Sequence, residues 1–93
     1  MDVYAKIAVN IIQSQEAIIG PVALEQAKRI SGLKLGDWTK KEVTVSGDEA
    51  HVIDQLIEVY KELFGQISVE VSKEAAAPLI AQVPAGGLPQ ELK

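Results

Sequence analysis

Two stretches of this chain set large apolar residues three and four positions apart, and that spacing constrains the fold more than any other feature. Over 47–64, Ile53, Leu56, Ile57, Tyr60, Leu63 and Phe64 form one stripe, while Asp54, Glu58, Lys61 and Glu62 fall on the wet side. Over 2–19, Tyr4, Ile7, Ala8, Ile11, Ile12, Ile18 and Ile19 share a face, with Lys6, Asn10, Gln13 and Glu16 opposite. A period near 3.6 marks an amphipathic helix. Each would be about 27 Å long at 1.5 Å per residue. In a chain of 93 residues, two such rods have to pack together and frame the rest.

Boundary signals agree with that frame. Asp2 is placed to cap the first helix. Gly20-Pro21 then stops or bends it, because the residue before a proline avoids the α region. Pro21 suits the first position of a second helix over 21–31, with Val22, Leu24, Ala27 and Ile30 apolar and Glu25 able to pair with Arg29. Gly32 stands where a left-handed cap is wanted. Ser46-Gly47-Asp48-Glu49 reads as a capping box ahead of the third helix, with Ser46 as the cap and Glu49 reaching back.

The segment 32–47 is punctuated by glycines, and Val43-Thr44-Val45 alternates as a short strand does. Residues 65–73 read two ways. Ile67 to Ser72 alternates with period 2, as in a half-buried strand. The same region also continues a helical stripe through Phe64, Ile67, Ser68, Val71, Ala75 and Leu79, and Lys73 to Ala77 favours helix strongly. Pro78 ends or kinks whatever precedes it, and 82–93 has the Pro and Gly content of a flexible tail. The expected fold is mostly α, a compact bundle of about four helical segments forming one domain over 1–81. The alternative is α+β, with short strands near 42–46 and 66–72.

Composition removes several function classes. Zero cysteines exclude disulfides, thiolate metal sites and a cysteine nucleophile, and a single histidine excludes multi-histidine metal sites. The longest unbroken apolar run, Ala75 to Ala81, is far short of the roughly 20 residues a membrane span needs. With the missing cysteines and an N-terminal segment interrupted by polar residues, this favours the cytoplasm. A net charge of −4 opposes adhesion to a phosphate backbone. Yet Lys28, Arg29, Lys34, Lys40 and Lys41 face only Asp37 within 28–41, whereas 42–74 is strongly acidic. Lys28, Arg29, Lys40 and Lys41, with Trp38 among them, are therefore a candidate anion or nucleic-acid patch. The simpler reading is a solvated surface that faces the acidic half.

Catalytic groups are scarce. His51 lies between Asp48 and Asp54 at three-residue spacing on one helix face, an arrangement open to a weak metal site or to dipole complementation at a helix start. None of the serines sits in a nucleophile elbow, and no phosphate-cradling glycine motif occurs. No cofactor is expected, and the chain does not read as an enzyme. The apolar stripes, by contrast, are wider than one neighbouring helix covers. Ile7, Ile11, Ile18, Val52, Val59 and Leu63 are the candidate interface of a homodimer, with an unidentified protein partner also possible. The expected function is a helical interaction or regulatory module. The alternatives are an apolar-ligand or lipid-binding domain lined by Tyr4, Trp38, Tyr60 and Phe64, and a nucleic-acid or anion contact through 28–41.

Overall fold

A computed structural model describes residues 2–93. Its element order is α1 (Val3–Ile19), α2 (Val22–Ala27), β1 (Leu33–Leu35), β2 (Val43–Val45), α3 (Glu49–Phe64) and α4 (Gln66–Ala76). Short 3-10 turns at Trp38–Lys40, Ala77–Gln82 and Gln90–Leu92 complete it. The mostly helical architecture is as expected, and the strand reading of 66–72 gives way to helix. The strand at 43–45 is present, but its partner is β1, paired antiparallel with Leu33 opposite Val45 and Leu35 opposite Val43. No helix among the described residues is long and apolar enough to cross a membrane.

α1 is the axis of the molecule. Tyr4, Ile7, Ala8, Ile11 and Ile12 are buried as their spacing requires, and Ala5, Val9 and Gln15 are buried as well. The helix is enclosed because α2, α3, α4 and β2 all pack on it. α3 supplies Val52, Ile53, Leu56, Ile57 and Tyr60 to the same core, and the Tyr60 hydroxyl donates to the Ala23 carbonyl at 2.7 Å. Burial pushes the Tyr60 phenol well above its ordinary range, the Glu16 charge adding to it.

Local chemistry explains the element ends. The Asp2 carboxylate accepts from the Ala5 N–H at 2.9 Å, as a cap should. The cap of α3 is Asp48, accepting from the His51 N–H at 3.2 Å, and not Ser46, whose hydroxyl donates to the Gly32 carbonyl instead. Asp48 and Ser46 are both good capping residues, and the hairpin crossing at Gly32 takes the serine. There Gly32 has φ of +87°, and a Cβ would meet Val52 Cγ2 at 2.8 Å and the Ser46 carbonyl oxygen at 2.9 Å. Only glycine fits. α2 is shorter than its sequence pattern, ending at Ala27, and Arg29 donates to Gln26 in place of pairing with Glu25.

α4 presents an unexpected face to α1. Its buried residues are Ser68, Val69, Ser72 and Ala76, while Ile67 is 73% exposed. Gly65, at φ of +80°, breaks the path between α3 and α4, so the two helices do not share one continuous stripe. The small residues let α4 approach closely, and buried Gln15 bridges the seam. Its Nε2 donates to the Ser68 carbonyl at 3.0 Å and to Ser72 Oγ at 3.2 Å. Asn10 donates to the Ala75 carbonyl at 3.2 Å further along. These pairs make α1 and α4 antiparallel.

Candidate functional site

The antiparallel seam decides what gathers at one end of the bundle. Since Gln15 pairs with Ser68 and Asn10 with Ala75, the end of α1 lies beside the start of α4. The end of α3 is tied to that point through Gly65, and α2 begins there after Gly20-Pro21. Five large apolar residues at this end remain exposed: Ile18 at 64%, Val22 at 38%, Leu63 at 50%, Phe64 at 37% and Ile67 at 73%. They are the only large apolar residues so exposed among the described residues. Single exposed hydrophobics need no explanation, whereas several at one place mark a surface with a use.

The predicted interface residues divide between the inside and the outside. Ile7, Ile11 and Val52 lie in the core of a single chain, at 0%, 0% and 4% exposure. The surplus width of the stripes is therefore absorbed by the many elements around α1, and these three are not surface residues. Val59 is half-buried and packs against the core. Ile18 and Leu63 belong to the exposed end. Val22, Phe64 and Ile67 were not foreseen there, because a stripe drawn across Gly65 turns Phe64 and Ile67 inward. A glycine flanked by two strong helical segments was the signal that the phase could change.

The basic residues do not form one patch around a free tryptophan. Lys28 and Arg29 precede the open end of the β1–β2 hairpin, while Lys40 and Lys41 lie in the loop that closes its other end. The Trp38 indole N–H donates to Glu16 at 3.2 Å, and the Lys41 ammonium sits 4.1 Å from the centre of its ring. Trp38 thus fastens the hairpin loop to α1, with Lys41 held by the attraction of a cation to an aromatic face.

The acids around His51 have separate duties. Asp48 caps α3, and Asp54 accepts from the backbone N–H groups of Gln90 at 3.0 Å and Glu91 at 2.8 Å. His51 itself is exposed, on the rim of an open groove of about 520 Å³ shared with Ser31, Ser46 and Asp48. No group of three or more acidic or histidine side chains among the described residues is arranged to hold a metal ion. Glu49, expected to reach back as part of a capping box, meets Asp2 instead. Burial alone would raise the Asp2 carboxyl, but the Ala5 amide, the Glu49 side chain and the Tyr4 amide together hold it below its ordinary value. The Glu49 carboxyl is raised above its ordinary value, first by its interaction with the Asp2 side chain and then by burial.

The aromatics are likewise committed. Tyr60 is fully buried, Tyr4 donates to the Gly87 carbonyl at 2.8 Å, and Trp38 is bound to Glu16. Only Phe64 among them belongs to the exposed apolar end. This chain matches no protein-family model, no curated protein and no solved structure.

Proposed function

We propose that this chain is a non-catalytic helical interaction module that self-associates as a homodimer through the exposed apolar end of its bundle. The observation that carries this reading is that Ile18, Val22, Leu63, Phe64 and Ile67 are all exposed and lie at the helix ends that meet at one end of the bundle. Two-fold pairing of such an end covers it on both copies at once, and it needs no second gene product. Burying apolar area contributes about 25 cal/mol per Å², the driving force such a contact would use. The proposed location is the cytoplasm, the compartment that a chain without cysteine fits.

The test is absolute mass by light scattering on the protein and on Ile67→Glu. The unmodified chain is expected at about 20 kDa, twice its 10.0 kDa mass. Ile67→Glu puts a charge in the middle of the contact and is expected at the monomer mass. A monomer at every concentration, or a dimer indifferent to the substitution, would refute the proposed interface.

A further inference from the structure

Residues 84–93 lie in a slot on the outside of the bundle, held by groups from three helices. The Tyr4 hydroxyl of α1 donates to the Gly87 carbonyl at 2.8 Å, and a Cβ on Gly87 would overlap that hydroxyl. The Asp54 carboxylate of α3 accepts from the Gln90 N–H at 3.0 Å and from the Glu91 N–H at 2.8 Å. Pro89 is fully buried, and Leu92 packs against the core. The turn Gln90–Leu92 rests on both α3 and α4.

Each of these three hydrogen bonds ends on a main-chain group of the segment, so the slot reads backbone first. The side chains it selects are few. Proline suits the buried position because it has no N–H to leave unsatisfied there. Glycine suits the position beside Tyr4 because any Cβ collides. Leu92, three residues after Pro89, adds the second apolar contact. Gln90 and Glu91 between them are held through N–H groups that every residue except proline offers. The pattern recognised is therefore Gly-x-Pro-x-x-Leu, present as Gly87, Pro89 and Leu92. Main-chain hydrogen bonds for affinity, with one or two side-chain pockets for selection, are how folded domains capture extended peptides.

We propose that this slot is a peptide-docking site which the chain keeps shut with its own C-terminal segment, and that it takes in trans a segment of another protein carrying Gly-x-Pro-x-x-Leu. The site does not depend on self-association: Tyr4 and Ile18 stand at opposite ends of α1, about 21 Å apart at 1.5 Å per residue. Residues 84–93 act as a built-in competitor. A tethered segment meets its site at an effective concentration of about millimolar, so an incoming segment binds where it is abundant or where the tether has been drawn aside. Pro84, Ala85 and Gly86 are exposed, and the segment can swing out there without opening the core.

The probe is a synthetic peptide of residues 84–93, titrated into the isotope-labelled full chain and followed through backbone amide resonances. In Pro89→Ala, whose own segment has lost its buried anchor, amides around Tyr4 and Asp54 are expected to shift saturably, while those of 17–22 and 62–68 stay in place. The unmodified chain should bind at least about tenfold more weakly, because its own segment competes. Toward Pro89→Ala, the same peptide carrying Pro89→Ala should also bind about tenfold more weakly. Adding Asp54→Ala to the chain should weaken binding by a similar factor. Unchanged resonances of strands 33–35 and 43–45 report that each variant is folded. Should Pro89→Ala not fold, Gly87→Ala displaces the segment at its Tyr4 contact and takes its place. No saturable shift around Tyr4 and Asp54 up to about 1 mM peptide would overturn the proposal. So would equal binding to the unmodified chain, or binding indifferent to Asp54 and to the proline of the peptide.

Discussion

The two sides of α1 are packed by different means. The core that α1 shares with α3 contains Ile7, Ile11, Ile53, Leu56, Ile57 and Tyr60, branched or aromatic side chains that are all fully buried. On α4 the buried residues are Ser68, Ser72 and Ala76 with the single branched Val69, and the amide of Gln15 bridges to the two serines. The first side gains from the area removed from water. The second gains from close approach and from hydrogen bonds that are costly to break once buried. A small domain can thus hold one helix by bulk and its neighbour by fit.

Substitutions can break that comparison in graded ways. Leu56→Ala empties a fully buried site on the bulky side and should cost about 2–5 kcal/mol in denaturant unfolding. A loss under about 1 kcal/mol would mean that α3 is not central. On the fitted side, Gln15→Ala removes a buried donor from the Ser68 carbonyl and Ser72 hydroxyl and should cost about 1–3 kcal/mol. Ser72→Val enlarges a site of 0% exposure and should cost about 1–3 kcal/mol by overpacking, with the loss confined to α1–α4 exchange protection. If Ser72→Val were neutral, the seam would be loose and the distinction between the two sides would fail. The smallest effect is expected at Ile67→Glu, within about 0.5 kcal/mol for the monomer, since Ile67 contacts mainly water there.

How much of this was legible in the sequence follows the same division. The bulky side was readable because large apolar residues at helical spacing announce a buried face, and Asp2 announced its cap. The fitted side was not, because serine and alanine on a helix carry no sign of which way they face. The helical stripe took in Ile67 and left out Ser72, whereas Ile67 is exposed and Ser72 is buried beyond the turn at Gly65. The strand at 43–45 was visible in its alternation. Its partner Leu33–Leu35 was too short to stand out between glycines, although it alternates in the same way. The capping box was misplaced by two residues because Asp48 competes with Ser46 for the same duty. Seating of the C-terminal segment left no trace in composition, since it depends on the Asp54 carboxylate accepting from the Gln90 and Glu91 backbone N–H groups. For the candidate surface, Ile18 and Leu63 were identified by their place in an overly wide stripe. Val22, Phe64 and Ile67 became visible only once the antiparallel packing of α1 and α4 brought these helix ends to one end of the bundle.

The most direct test of the proposed self-association is a dilution series followed through backbone amide resonances. On dilution from millimolar to low micromolar concentration, shifts are expected at 17–22 and 62–68, the residues around the exposed apolar end. The hairpin strands 33–35 and 43–45 should stay unchanged. Resonances that never move, or that move along the hairpin and not at that end, would contradict the interface proposed for this fold.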